Sequence, residues 1–78
     1  MQQEVKEIIE ILTNLIEDAP FKAKLQIEII IKMFDNELTQ DNLIKIQDNL
    51  EYLSNIPSID SYTRNEVYNI LSIIEGFL

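Results

Sequence analysis

The chain has 78 residues, with fourteen acidic and six basic side chains and a net charge of -8. This length supports one domain with one small core, and the negative charge disfavours binding to phosphate backbones and to anionic lipid headgroups. Histidine and cysteine are absent from the sequence. Disulfides, thiolate metal sites and catalysis by the commonest general base are therefore excluded.

Two helices are predicted in the first half of the chain. At about residues 3–17, apolar side chains recur every three or four positions, as on one face of a helix. Asp18 can then cap a second helix at about residues 20–35, with Pro20 in its first turn. This second helix is apolar around much of its circumference, which predicts a central position and apolar surface left over for docking. The predicted docking surface consists of Ile27, Ile31 and Phe34.

Two further helices are predicted in the second half, at about residues 40–54 and 61–77. Thr39 can cap the third helix, and either Asp60 or Ser61 can cap the fourth. Four helices of about 15 residues joined by short loops pack antiparallel to their neighbours. The sequence therefore predicts an all-α fold, a single domain that forms an antiparallel up-and-down four-helix bundle.

The last third of the chain contains a sequence motif of the kind that identifies a protein family. It reads Ser54-Asn55-x-Pro57-x-Ile59-x-x-x-Thr63-Arg64-x-x-Val67-Tyr68-x-Ile70-x-Ser72-x-Ile74-Glu75. This segment resembles the signature of the archaeal uncharacterised protein family numbered zero-one-four-seven, whose members are short, acidic and all-helical. The resemblance implies a divergent member of that family, with a four-helix bundle of the mirror variant and no established biochemical activity.

The chain departs from that family's pattern at several positions. Members usually have Asp where Ile56 stands, Pro at Asp60 and Trp at Tyr68. In the first half, Ile16-Glu17-Asp18 matches the family, but Phe21-Lys22-Ala23-Lys24 stands where Pro and Arg usually follow. The two halves of the chain also show a weak internal sequence similarity. It can reflect either a duplicated helical hairpin or coincidence between two pairs of amphipathic helices.

Arg64 is the only arginine and falls in the first turn of the predicted fourth helix. The positive end of the helix macrodipole disfavours a cation there unless a carboxylate or a carbonyl holds it. We expect Arg64 either to form a structural clamp, with Asp18 or Glu17 as partner, or to contact an anion or a protein partner.

Simpler structural roles are expected for several other polar groups. Ser61 follows an aspartate, as the modified serine of acyl carrier proteins does, but those carriers place it before the second helix, which favours a capping role here. Glu7, Glu10 and Glu17 lie opposite the apolar stripe and are expected on a solvated face. The tyrosines are expected to pack at the rim of the core.

We therefore expect no catalytic, cofactor-binding or metal-binding residues and a protein that is not an enzyme. The favoured function is a non-enzymatic module that binds a protein partner or forms a homo-oligomer, without direct nucleic-acid, membrane or metal binding. The alternative is a carrier or a bundle that binds a small ligand. A third possibility is a helical bundle like the bacteriocin immunity proteins. Such a bundle shares the size and architecture predicted here, but no motif in this sequence supports it. The N-terminal residues lack the pattern of a secretory signal, so a cytoplasmic location is expected.

Overall fold

A computed structural model describes residues 2–78, and within them the chain forms four α-helices and no strand. The helices are α1 (Gln2–Ile16), α2 (Phe21–Met33), α3 (Gln40–Ser54) and α4 (Ser61–Glu75). Each helix begins and ends within two residues of its predicted bounds, and the bounds of α3 are those predicted. The all-α prediction is confirmed.

The helices form a ring in which α1 packs on α2, α2 on α3, α3 on α4, and α4 on α1. The described chain measures 31 × 18 × 17 Å, which is one helix long and two helices wide. Because short loops join successive helices, neighbours alternate in direction. The structure is the predicted four-helix bundle, and α2 has one neighbour on each side and one face toward solvent.

Two helix starts follow from local capping. The backbone N–H of Asn42 donates to the Thr39 hydroxyl at 3.2 Å, and the backbone N–H of Thr63 donates to the Asp60 carboxylate at 2.8 Å. Both side chains thereby satisfy a backbone donor that has no partner within the helix. The predicted cap at Thr39 is confirmed, and of the two candidates for α4 the cap is Asp60.

The start of α2 differs from the prediction. Pro20 occupies the N-cap position, immediately before the helix, and no side chain among residues 2–78 caps the start of α2. Asp18 lies two residues earlier, in the turn that follows α1, and is exposed. The prediction of Asp18 as the cap is wrong because the turn places its carboxylate outside the first helical turn.

The core is a continuous cluster of buried apolar side chains from all four helices and the two later loops. Ile56 and Ile59 belong to the loop between α3 and α4 and close one end of the bundle. The core residues are Ile8, Leu12, Leu15, Ala23, Ile27, Ile30, Phe34, Leu43, Ile46, Leu50, Leu53, Ile56, Ile59, Val67, Ile70 and Ile74.

The predicted docking surface on α2 is wrong. Ile27 is fully buried, Phe34 is buried and Ile31 is half-buried. Ile27 and Phe34 share the inward face with Ala23 and Ile30 at spacings of three and four residues, which is the period of one helix face. The apolar side chains that α2 presents to solvent are different ones.

Candidate interaction surface

The exposed face of α2 carries a row of large apolar side chains, which we call the α2 ridge. It consists of Phe21, Leu25 and Ile29, which are 75%, 47% and 51% exposed. These residues are four positions apart, so their side chains lie above one another along about 12 Å of the helix. The ridge is a contiguous apolar strip on a surface that is otherwise largely polar.

Exposed apolar side chains on the other helices are scattered. Ile44 and Tyr52 are exposed on α3, and Tyr62 and Tyr68 on α4, but no pair of them is one turn apart. Single exposed apolar residues are ordinary on a protein surface, whereas a contiguous patch marks an interaction site. The three tyrosines are about half exposed or more, and their position at the core's rim stays a prediction.

The α2 ridge also has an unusual charge environment. Helix α2 contains three lysines and one glutamate, and of the four helices that the structure describes it is the one with a net positive charge, in a chain of net charge -8. Lys22, Glu28 and Lys32 are exposed beside the ridge, and Lys24 is half-buried. A charged partner surface that meets the ridge can therefore form ion pairs along both sides of the apolar row.

A polar contact between α2 and α3 fixes the rotation of α2. The side-chain amide of Gln26 donates to the Asn49 side-chain oxygen at 2.9 Å, and the Asn49 amide donates to the Lys45 carbonyl at 2.8 Å. Both side chains are half-buried at the seam between the helices. A rotation of α2 that turned the ridge inward would break this chain of hydrogen bonds.

Sequence reasoning did not identify the α2 ridge or the contact between Gln26 and Asn49. A signal for the ridge was present, since Phe21, Leu25 and Ile29 follow a spacing of four residues. Because α2 has a second apolar row at the same period, its sequence does not tell which row faces the core. Only the arrangement of neighbouring helices decides that.

Arg64 is held at the end of the bundle that contains the loop between α3 and α4. Its Nε donates to the backbone carbonyl of Ser54 at 3.0 Å, and the side chain is half-buried. Ser54 is the last residue of α3, where the carbonyls are partly negative, so the contact offsets the unfavourable dipole at the start of α4. Among the described residues, the structure joins Arg64 by hydrogen bond to Ser54 and not to Asp18 or Glu17.

Asp60 and Ser61 lie at the same start of α4. The backbone N–H of Thr63 lowers the pKa of the exposed Asp60 carboxylate, and Arg64 adds a smaller favourable charge effect. Ser61 is the first residue of α4 and is exposed. The preference for Ser61 as the cap is wrong because the preceding aspartate fills that position.

A shallow apolar groove lies at the opposite end of the bundle. It is lined by Val5, Ile9 and Leu38, with Gln2 and Lys6 at its edge, and its volume is about 330 Å³. This is at the lower end of the volumes that small-molecule sites have. In residues 2–78, no group of three or more acidic side chains is arranged to hold a metal ion.

No known protein family, curated protein or solved structure matches this chain. The resemblance to the archaeal family therefore stays a prediction that rests on the motif between Ser54 and Glu75. Among the helices that the structure describes, none combines the length and the apolar character needed to cross a membrane.

Proposed function

We propose that this protein is a non-enzymatic interaction module that binds protein through the α2 ridge. The observation that carries the proposal is the unbroken exposure of Phe21, Leu25 and Ile29 on one helix face. Three large apolar side chains at this spacing are the anchors by which helices dock into grooves or onto other helices. Binding would remove apolar surface from water, at about 25 cal/mol for each Å² buried.

The charges around the α2 ridge support the same role. Lysines on both sides would steer the helix toward a surface that carries carboxylates, and an apolar contact would then hold the complex. The non-enzymatic part of the proposal rests on a sequence without histidine or cysteine. A cytoplasmic location and membership of the archaeal family are parts of the same proposal.

The test compares two substitutions at equivalent helix positions. Leu25 and Ile44 are the fifth residues of α2 and α3, and they are 47% and 41% exposed. Leu25→Asp places a charge in the middle of the ridge, whereas Ile44→Asp makes the same change at an isolated apolar residue. We expect both variants to keep the helical circular dichroism of the wild type.

The measurement is crosslinked capture with immobilised wild type, Leu25→Asp or Ile44→Asp, from a cell lysate supplemented with a tagged second copy of the chain. The wild type and Ile44→Asp should retain the same protein, either a partner or the tagged copy, and Leu25→Asp should lose it. Equal capture by all three baits would contradict the proposal.

A second candidate is favoured by the groove at Val5, Ile9 and Leu38, which could hold a small hydrophobic ligand. Titration with anilinonaphthalene sulfonate separates this function from the first. Val5→Asp should abolish a groove-bound signal, whereas Leu25→Asp should leave it unchanged. The exposure of Ser61 favours a carrier version of the same candidate, and an intact mass without modification in the natively expressed protein would oppose it.

A further inference from the structure

We infer that the partner of the α2 ridge is a second copy of this chain, packed antiparallel through α2 about a two-fold axis near Leu25. This inference rests on the proposed function and adds the identity of the partner and the geometry of the contact. In an interface with two-fold symmetry, one surface patch must complement itself. Both the apolar row and the charges beside it meet that requirement.

The apolar row complements itself because Leu25 lies midway between Phe21 and Ile29. When two copies of α2 run in opposite directions, Phe21 of one copy is level with Ile29 of the other, and the two Leu25 side chains meet at the axis. The large aromatic ring then faces the smaller aliphatic side chain at both ends. Each copy contributes its whole ridge to the contact.

Charges at the ends of α2 select the antiparallel direction. Glu17 and Asp18 precede the helix and are exposed, and Lys32 is exposed near its other end. An antiparallel pair brings Lys32 of each copy close to the acidic turn of the other, whereas a parallel pair would place Lys32 beside Lys32. The antiparallel direction also pairs the opposite ends of the two helix dipoles.

A second charge contact lies closer to the axis. Glu28 and Lys24 are separated by about 40° around the helix, so they project on the same side of the ridge. In an antiparallel pair, Glu28 of one copy is level with the turn that contains Lys22 and Lys24 of the other. Opposite charges therefore meet on that side at both ends of the ridge.

The charge on the whole chain favours the same helix. Helices α1, α3 and α4 each have a net negative charge, and only α2 is positive. Contact through any other helix would bring two negative faces together, whereas contact through α2 keeps those faces apart. Because the ridge is only about 12 Å long, its buried area falls in the range of weak complexes, and we expect association that depends on concentration.

Engineered cysteines test the geometry, since the chain has none of its own. We expect an oxidised mixture of Phe21→Cys and Ile29→Cys to form a disulfide-linked heterodimer. Each variant alone should crosslink no more than Ile44→Cys, which reports random collisions. In the antiparallel pair, two copies of residue 21 lie about 12 Å apart along the axis, beyond the about 7 Å between Cα atoms that a disulfide spans.

The outcomes separate the partner from the function. Self-crosslinking of Phe21→Cys without a gain in the mixture would show a parallel pair and overturn the inference. If no variant exceeds the Ile44→Cys background while Leu25→Asp still loses a different captured protein, the inference fails and the proposed function stands. If, in addition, Leu25→Asp captures the same proteins as the wild type, both the inference and the proposed function fail.

Discussion

The Arg64 guanidinium lies at the positive end of the α4 helix dipole, which disfavours a cation. Its hydrogen bond to the Ser54 carbonyl offsets that unfavourable interaction. Ser54 ends α3 with a carbonyl that lacks a helical partner, and the Arg64 Nε satisfies it at 3.0 Å. One side chain therefore links the end of α3 to the start of α4 across the proline-containing loop. This contact positions the loop that closes one end of the core.

We predict that Arg64→Ala lowers the free energy of unfolding by about 1 to 2 kcal/mol, because the carbonyl of the buried Ser54 loses a charged donor. The stability of Arg64→Lys should lie between that of the wild type and that of Arg64→Ala, since an ammonium keeps the charge but not the position of Nε. Urea unfolding followed by circular dichroism measures the change. An alanine variant as stable as the wild type would mean that water replaces the guanidinium without cost.

Asp60 gives the chain a pH dependence at the start of α4. Its N-cap bond from the Thr63 N–H lowers the pKa of the folded carboxyl below its usual value near 3.8. A lowered pKa in the folded state means that the stabilisation is complete above the unfolded pKa. It is lost as the pH falls through the lower folded pKa.

We predict that the urea midpoint of the wild type falls relative to that of Asp60→Asn as the pH drops below about 4. The asparagine side chain also caps a helix but does not titrate in this range, so it serves as the control. Midpoints measured for both proteins between neutral and acidic pH check this. A constant difference between them would show that the cap does not sense the carboxylate's charge.

Helix α2 carries two apolar rows, one buried in the core and one exposed to solvent. The inward row, which includes Ile27 and Ile30, is fully buried, and the α2 ridge is exposed. Neighbouring isoleucines therefore have opposite environments, since Ile30 is 0% and Ile29 is 51% exposed. The inward row stabilises the bundle, and the outward row is free for association.

We predict that Ile30→Ala costs about 2 to 5 kcal/mol of stability, because it removes buried methyl groups and leaves a cavity. Ile29→Ala is the matched control in the same helix, and its effect on the monomer should stay within about 0.5 kcal/mol. Urea unfolding at low protein concentration compares them. A large loss of stability for Ile29→Ala would mean that the α2 ridge is packed in the folded core, which contradicts its exposure.

Local signals were sufficient to predict the helices and one cap. Thr39 caps α3 as predicted because its hydroxyl needs only a backbone N–H three residues later. The sequence predicts Ile27, Ile31 and Phe34 as an apolar docking surface, which is wrong because Ile27 and Phe34 are buried. Periodicity shows that apolar rows exist but not which neighbour each row meets. The partner of Arg64 was open for the same reason, since ten residues separate it from Ser54.

At the scale of the whole molecule, charge and apolar surface are distributed unevenly. Three helices carry net negative charge, and the positive helix also carries the exposed ridge. The negative helices oppose non-specific association through like-charge repulsion, which leaves α2 as the face where two copies can meet. Added salt should change this association, because exposed ion pairs are screened over about 10 Å at 0.1 M ionic strength.

Sedimentation velocity of two charge variants, alone and mixed, tests the central claim most directly. Lys32→Glu alone and Asp18→Lys alone each place like charges at both ends of the antiparallel pair, so each should remain monomeric at concentrations where the wild type forms dimers. Their equimolar mixture restores opposite charges at both ends and should recover the dimer. A mixture that stays monomeric while the wild type dimerises, or a wild type that stays monomeric up to about 1 mM, would contradict association through α2.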